Sequence, residues 1–288
     1  MKSTLKSKIF FGFLWTLPFF LVLASCEKTA DNVEIPHNEP KPVVQSFLET
    51  GQDSVKLYLS QSNPVFYSTT NQTTEIKDAV VSISDGTNSV NLVYHPDASG
   101  FNRGSYDAVA SALSFNSGNQ INLNITLSDG KTLTSSCVLP AKPSFKIEFQ
   151  EIVQSNGYGD KLLKFKFTDL SPNPENYYHI AAIVHGKQGN YIDEMELYDD
   201  SNYGGIYKIS GGSSKTLSYY FWDNYMSIDS VKFYVLATDE HYYNYHKSVY
   251  AFEGDNPFAE PVIIYSNIKD GLGVFCGYNR NSQVVMLP

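Results

Sequence analysis

Cysteine is scarce in this chain of 288 residues, which contains only Cys26, Cys137 and Cys276. That number excludes a small scaffold held together by many disulfides. The chain also lacks a Cys-x-x-Cys pair and a Cys/His quartet, so no structural zinc site is predicted. Cys137 and Cys276 are expected to be two buried, inert thiols, and a disulfide between them is the alternative.

Sequence patterns that mark common enzymes are missing as well. The motifs GxSxG, GxxxxGKS/T and HExxH do not occur after residue 25. The run 271–277 superficially resembles a dinucleotide-binding loop, but its third glycine comes one residue late and no βαβ unit surrounds it, so it predicts a glycine-punctuated strand. We therefore predict no enzymatic activity, no cofactor and no metal. A hydrolase built from dispersed carboxylates is the alternative, since such pairs meet only in the folded chain.

Basic residues are few relative to acidic ones. Without residues 1–25, whose only charges are three lysines, 18 basic and 30 acidic residues remain, a formal net charge of −12. Because such a surface repels phosphate backbones, nucleic acid is not an expected partner.

Residues 1–25 have the features of a signal peptide. Three lysines come first, and an apolar run of signal-peptide length, 9–23, follows them. The order Leu23-Ala24-Ser25-Cys26 resembles the bacterial lipobox, in which the cysteine thiol is acylated and the chain is cut just before it. We predict that Cys26 becomes the lipidated first residue and that the membrane is a partner through this anchor. The alternative is an ordinary secretory signal with Cys26 as a plain thiol.

The rest of the chain has the pattern of an all-β protein. Residues 26–42 are polar and proline-rich, which suits a flexible tether. Short alternating runs separated by turn signals then predict two sandwich-like domains in tandem, of the immunoglobulin or transthyretin kind, over 43–140 and 141–288. Helix is expected only at 240–253, where Tyr242, Tyr245, Val249 and Phe252 have helical spacing. The predicted strands are 43–48, 54–59, 79–84, 90–94, 120–127, 131–139, 145–149, 162–168, 177–185 and 230–237.

Three clusters in the second half are candidates for a site. Acidic residues at 193–200 with Asn202 could hold Ca²⁺, although their spacing does not match an EF-hand loop and favours a solvated hairpin. His241 and His246 are spaced to lie on different faces of a strand or helix, so they make a poor pair of metal ligands. The third cluster is aromatic; it supplies either an exposed contact surface or the core of a sandwich. Its members are Tyr219, Tyr220, Phe221, Trp222, Tyr225, Tyr242, Tyr243, Tyr245 and Tyr250.

The C-terminal run 256–262, followed by Tyr265-Ser266-Asn267-Ile268 and Gly271-Leu272-Gly273-Val274-Phe275, resembles the closing signature of a family of Bacteroidota lipoproteins of unknown function. Shorter pieces agree with it: Pro42-Val43-Val44, the stretch 78–86, and Phe167-Thr168-Asp169 ahead of Tyr177-Tyr178. The genes of this family are often beside those of TonB-dependent receptors. The resemblance implies an accessory role in nutrient capture or receptor assembly. Together with the lipobox and the missing enzyme motifs, it leads us to expect a non-enzymatic, lipid-anchored binding or accessory subunit at the outer membrane that works with such a receptor, whether its ligand is a small molecule, a peptide or a glycan. A structural or assembly factor without a small ligand is the alternative.

Overall fold

The structure, a computed structural model, describes residues 39–63, 74–97, 103–109, 111–154, 160–186, 193–195, 204–222, 228–252 and 263–288. Within these residues the chain forms fifteen strands and one helix, α1 (Glu240–Tyr250). The strands are β1 (Pro42–Glu49), β2 (Ser54–Gln61), β3 (Val80–Ser84), β4 (Ser89–His95), β5 (Ser105–Val109), β6 (Gln120–Thr126), β7 (Thr132–Val138), β8 (Phe145–Gln154), β9 (Asp160–Asp169), β10 (Asn176–Gly186), β11 (Asp193–Met195), β12 (Ile206–Ile209), β13 (Ser214–Trp222), β14 (Ile228–Thr238) and β15 (Leu272–Met286). No helix in the described part is both long and apolar enough to cross a bilayer.

The alternation of apolar and polar residues accounts for these strands. On β9, Leu163, Phe165 and Phe167 are buried, while Lys166 between them is exposed. Successive side chains of a strand point to opposite faces, so this pattern buries one face and leaves the other in water. The predicted all-β, sandwich-like fold class is confirmed. Each run predicted to be a strand overlaps a strand of the structure.

The first hydrophobic core lies among β1 to β7. Its fully buried members include Leu48, Leu57, Ile83, Ile121 and Leu133. Strands run in the order β15-β1-β2-β5-β4-β3-β6-β7. At the end of this path, Thr134 of β7 forms an isolated antiparallel bridge with Lys269, just before β15. The path therefore folds back on itself and encloses the core.

The second core lies between two sheets. One is the three-stranded sheet β13-β9-β8, and the other contains β11, β10, β14 and the second half of β15, with β12 paired to β10. Phe165 from the first sheet meets Phe233 from the second, with ring centroids 4.9 Å apart in an edge-to-face arrangement. Such pairs contribute about 0.5–1.5 kcal/mol beyond the area they bury, so they help to hold the two sheets together.

Strand β15 is shared by both halves. Its first half pairs in parallel with β1, where Gly273 is opposite Val44, and its second half pairs antiparallel with β14. Phe275 belongs to the first core and Val285 to the second. The domain boundary expected at Pro140 falls between the two cores along the chain, and the division into two domains stays a prediction.

The segment before β15 closes the first sandwich through Asn267. Its Oδ1 accepts a hydrogen bond from the Phe275 N–H at 3.0 Å, and its Nδ2 donates to the Phe275 carbonyl at 2.7 Å. The same Nδ2 donates to the Ser136 carbonyl of β7 at 3.4 Å. Because a side-chain amide offers the same donor and acceptor as a peptide group, Asn267 takes the place of a neighbouring strand here.

A glycine near the C-terminus allows β15 to lie close to β1. Gly273 has a φ of +102°, and a Cβ placed on it would lie 1.9 Å from the Val44 carbonyl oxygen. Only glycine fits a backbone conformation of this kind at so close an approach. The expected glycine-punctuated strand is confirmed, and these residues of the C-terminal signature have a structural role.

Candidate functional site

A cleft of about 450 Å³ opens where the connection between the two halves meets the sheet of the second half. We call it the junction cleft. Its walls come from the connecting segment 140–144, from the segment 171–178 that leads into β10, and from Ala237 and Thr238 at the end of β14. Tyr177 and Thr238 are paired across β10 and β14, so the adjoining ends of two strands position both residues.

Asp169, the last residue of β9, is fully buried behind the cleft wall and forms hydrogen bonds to three residues that line the cleft. Its Oδ1 accepts hydrogen bonds from the Ser171 N–H and the Tyr178 hydroxyl, each at 2.8 Å. Its Oδ2 accepts one from the Asn176 Nδ2, also at 2.8 Å. A carboxyl group can be buried at acceptable cost when it is hydrogen-bonded in this way, and the three bonds hold the segment 171–178 against the strand.

Tyr178 is held in its neutral form by this arrangement. Burial raises the pKa of its hydroxyl well above the ordinary value, and the hydrogen bond to Asp169 raises that pKa further. The hydroxyl therefore stays protonated and acts as a permanent donor to Asp169.

Tyr177 is fixed at the rim of the cleft. Its hydroxyl donates to Glu175, whose carboxylate forms an ion pair with Lys208 at 2.7 Å. The Lys208 ammonium lies 5.4 Å from the centroid of the Tyr177 ring, and the ring of Tyr243 on α1 lies 5.0 Å away, centroid to centroid. Three neighbours thus restrict the ring, and a pre-oriented tyrosine is a stiff contact surface for a ligand.

Thr238 carries the most unusual polar atom of the cleft. The residue is 6% exposed, and its Oγ1 has no hydrogen-bond partner among the described residues. A buried hydroxyl without a partner destabilises a fold by about 1–3 kcal/mol. Such an atom in the wall of a cleft is a candidate for pairing with a bound molecule.

The carboxylates around the cleft are not arranged as a general acid. Glu175 is the acid that lines it, and hydrogen bonds from Lys208 and then from Tyr177 lower the pKa of its carboxyl group. A general acid at neutral pH needs the opposite shift.

Helix α1 covers a second, more closed cluster next to the cleft. Asp239 caps the helix: one of its carboxylate oxygens accepts from the Tyr242 N–H at 2.8 Å, and the other accepts from the Gly277 N–H of β15 at 3.0 Å. Burial raises the pKa of Asp239 to about 6, while these two backbone donors pull it down. The cap therefore ties the start of α1 to β15.

Two histidine rings lie between α1 and the sheet: His179 comes from β10 and His246 from α1 itself. Tyr242 is buried, and its hydroxyl oxygen is 2.7 Å from the Nδ1 of His179. The ring of His246 lies 4.3 Å from that of Tyr242 and 5.6 Å from those of Phe47 and His179, centroid to centroid. Burial, followed by repulsion from His179, lowers the pKa of His246 to about 4, so both rings are neutral near pH 7.

His241 and His246 lie apart, as their spacing predicts. His241 contacts Tyr265, with its Nδ1 2.7 Å from the tyrosine hydroxyl, whereas His246 lies in the cluster under α1. No group of three His, Cys, Asp or Glu side chains suited to a metal ion occurs in the described residues. The predicted helix is present, but it ends at Tyr250, and Val249 and Phe252 are exposed. Their place on the buried face is taken by His246.

Of the remaining predicted residues, two cysteines are buried and the others lie wholly or partly outside the described residues. Cys137 and Cys276 are free and buried, as expected, and burial raises the pKa of both thiols. Cys26 lies outside the described residues. Of the acidic cluster, only the backbone of Asp193 and Glu194, on β11, is described. The lipid anchor and the Ca²⁺ hypothesis therefore stay predictions.

The aromatic cluster divides between core and surface. Tyr242 is buried, Tyr219 packs against the second core, and Tyr245 packs beside Tyr242. Tyr250 is exposed, and Tyr243 is the neighbour of Tyr177. The side chains of Tyr220, Phe221 and Trp222, and all of Tyr225, lie outside the description.

Sequence reasoning missed Asp169, Asn176 and Thr238 as parts of a site. The first of these stood in a motif already noted, Phe167-Thr168-Asp169 ahead of Tyr177-Tyr178, and the contact of Asp169 with Tyr178 explains why those two pieces belong together. Thr238 gave no such signal, because its missing partner is visible only in the folded chain.

The fold and the cleft define an all-β, sandwich-like protein with a polar cleft where its two halves join. The chain belongs to the family described as Domain of unknown function (DUF4249), whose model matches residues 30–284. No curated protein matches it significantly.

Among solved structures, the chain is similar to a Bacteroides uniformis protein proposed to bind carbohydrate, with 10% identity, 85% of this chain and 98% of that chain covered, and a TM-score of 0.19. It is also similar to the BSP domain of a biofilm-associated protein, with 11% identity, 89% and 62% coverage, and a TM-score of 0.16. At such TM-scores neither likeness supports an argument about fold or ligand.

Proposed function

We propose that the protein is a lipid-anchored, non-enzymatic binding or accessory subunit of the outer membrane that works with a TonB-dependent receptor. The observation that carries the binding role is the junction cleft, where Tyr177 is held rigid and the Thr238 hydroxyl is buried without a partner in the described chain. The anchor rests on the Leu23-Ala24-Ser25-Cys26 order, and the receptor rests on the family resemblance.

The cleft has the properties of a binding site that is formed before its ligand arrives. Its volume falls within the range of small-ligand pockets, about 300–1,000 Å³. The Asp169 network and the Glu175–Lys208 ion pair hold its walls without any bound molecule. Preorganisation of this kind lowers the entropy that binding must overcome.

The acid–base groups support binding rather than hydrolysis. The lining carboxyl group, Glu175, has a lowered pKa, and Asp169 is buried with all its described partners in place. Carboxylates that act in hydrolysis need separated pKa values and access to substrate.

The anchor is tested by replacing Cys26. We expect Cys26→Ala to move the protein from the membrane fraction to the soluble fraction, because acyl chains supply about 0.8 kcal/mol of membrane affinity per buried methylene. The matched control is Ser25→Ala, which keeps a small residue before the cysteine, and it should leave membrane retention unchanged. Equal retention of both variants would defeat the anchor.

The receptor is tested by crosslinking cells that carry the tagged lipoprotein, followed by purification in mild detergent and mass spectrometry. Recovery of a TonB-dependent receptor supports the accessory role. Recovery of the lipoprotein alone, or with unrelated envelope proteins, overturns that role and favours a structural or assembly factor.

A further inference from the structure

The junction cleft also carries information about the class of ligand. Neither acid beside it is free to meet a ligand, whereas the exposed Lys142 ammonium lines it and can donate a hydrogen bond to a hydroxyl group. Glu175 is paired with Lys208, and the Asp169 carboxyl is enclosed by its three donors. The protein as a whole is acidic, which disfavours an anionic ligand. A ligand without charge therefore suits this cleft best.

The polar groups that remain besides Lys142 are amides and hydroxyls. Asn173 and Ser144 line the cleft and are exposed, and Thr238 lies in its wall. Hydroxyl and amide groups can both donate and accept hydrogen bonds. A ligand with many hydroxyl groups matches them, because each of its hydroxyls also does both.

The apolar part of the lining consists mainly of ring-shaped side chains. It comes from the ring of Tyr177 and from the prolines Pro140, Pro143 and Pro172. Proline rings have a fixed shape, and Tyr177 is held by Glu175, Lys208 and Tyr243. Such surfaces suit the C–H face of a ring-shaped ligand.

The Thr238 hydroxyl is buried in the free protein, so it needs a side-chain rotation to meet a molecule in the cleft. A turn of about 120° about χ1 moves the hydroxyl of a threonine to another staggered position, the one held before by the methyl group or by the Cβ hydrogen. The hydroxyl loses no described hydrogen bond in that rotation, because it has none in the free protein. A bound hydroxyl group would supply the partner that it lacks.

We infer that the junction cleft binds a neutral sugar unit, with the Tyr177 ring against its C–H face and with Asn173 and Thr238 bonded to its hydroxyls. This inference rests on the proposed binding function and adds the chemical class of the ligand.

The test uses the native lipoprotein in mild detergent on an array that carries neutral oligosaccharides of glucose, mannose and N-acetylglucosamine, uronic-acid oligosaccharides, and proline-rich peptides. We expect binding to a neutral glycan, and an affinity about tenfold weaker in Tyr177→Ala and in Thr238→Val, the loss that one hydrogen bond or ring contact accounts for. Thr238→Ser keeps the hydroxyl and should bind like the natural protein.

Two matched controls lie outside the cleft. Tyr234 is a partly buried strand tyrosine with the Lys232 ammonium 4.8 Å from its ring centroid, the same kind of contact that Lys208 makes with Tyr177. Thr216 is an exposed strand threonine. Tyr234→Ala and Thr216→Val should leave glycan binding unchanged, and thermal unfolding of each variant checks that it is folded.

The outcomes are separable from those of the receptor experiment. Binding only to acidic glycans or to peptides, binding to nothing on the array, or equal loss in cleft and control variants would overturn the sugar assignment. A binding subunit of a TonB-dependent receptor survives those results if the receptor is recovered by crosslinking. Failure to recover the receptor leaves glycan binding to be judged from the array alone.

Discussion

Replacement of Thr238 by valine should stabilise the free protein. The Thr238 Oγ1 is buried and has no hydrogen-bond partner in the described chain, which is a destabilising feature worth about 1–3 kcal/mol. Valine removes the hydroxyl and adds a buried methyl group, which contributes about 0.8 kcal/mol. Valine also suits a strand position such as this one. We expect the free energy of unfolding to rise by about 1–2 kcal/mol, with some of the gain lost to imperfect repacking.

Thr50 provides the matched control. Its Oγ1 donates to the Pro140 carbonyl at 2.9 Å and lies 3.3 Å from the Tyr278 carbonyl, so this hydroxyl is satisfied. Thr50→Val should therefore lower the free energy of unfolding by about 1 kcal/mol, the usual net value of a hydrogen bond. The same chemical change is expected to have opposite signs at two positions near the same junction.

The assay is denaturant unfolding, with thermal unfolding as a second reading. One kcal/mol corresponds to about 2–4 °C in a domain of 150–250 residues. If Thr238→Val destabilises the protein as much as Thr50→Val does, then the Thr238 hydroxyl has a partner in the free protein. That result would remove the central feature of the junction cleft. A stabilised variant that also loses ligand would show that this threonine is retained for binding at the expense of stability.

Two further predictions concern β15 and the cluster under α1. Gly273→Ala should cost more than about 4 kcal/mol or prevent folding, because its Cβ would meet the Val44 carbonyl, whereas Gly130→Ala, with a φ of +86° and open space around it, should cost about 1–2 kcal/mol. Equal denaturant midpoints for the two variants would contradict this close approach. His246 has its pKa lowered to about 4 by burial, so the unfolded state binds more protons, and stability is lost as pH falls from about 6.5 towards 4. Relative to His246→Phe, the natural protein should lose up to about 2 kcal/mol between pH 7.5 and pH 5, measured as the difference between their unfolding curves. Parallel curves would contradict the prediction. The comparison with the variant is needed because Asp239, whose pKa is raised, acts in the opposite direction over part of this range.

The described part of the C-terminal signature illustrates how a specific motif can be structural. Asn267 acts as a substitute strand edge for Phe275, and Gly273 allows β15 to approach β1. Both serve the packing of β15 against its neighbouring strands. The weaker motif, Asp169 ahead of Tyr177-Tyr178, is the one that builds the junction cleft.

Most strand positions were predictable because they depend on local alternation. On β9, the apolar residues Leu163, Phe165 and Phe167 alternate with lysines, so they share one face in any sheet that buries them. The helix was predictable for the same reason, from a spacing of three and four residues. The place of His246 on its inner face was not predictable, because that place depends on contacts with Phe47 and His179, which lie far away in the chain.

The sequence by itself determined the all-β class, the positions of most strands but not of β5, β11, β12 and β13, the burial of Cys137 and Cys276, and the separation of His241 from His246. Each of these follows from local periodicity or from composition. Only the tertiary structure decided that β15 joins both halves and that Asp169, Tyr177 and Thr238 meet at one cleft. Those contacts join residues far apart in the chain, and the missing partner of the Thr238 hydroxyl is a property of everything packed around it.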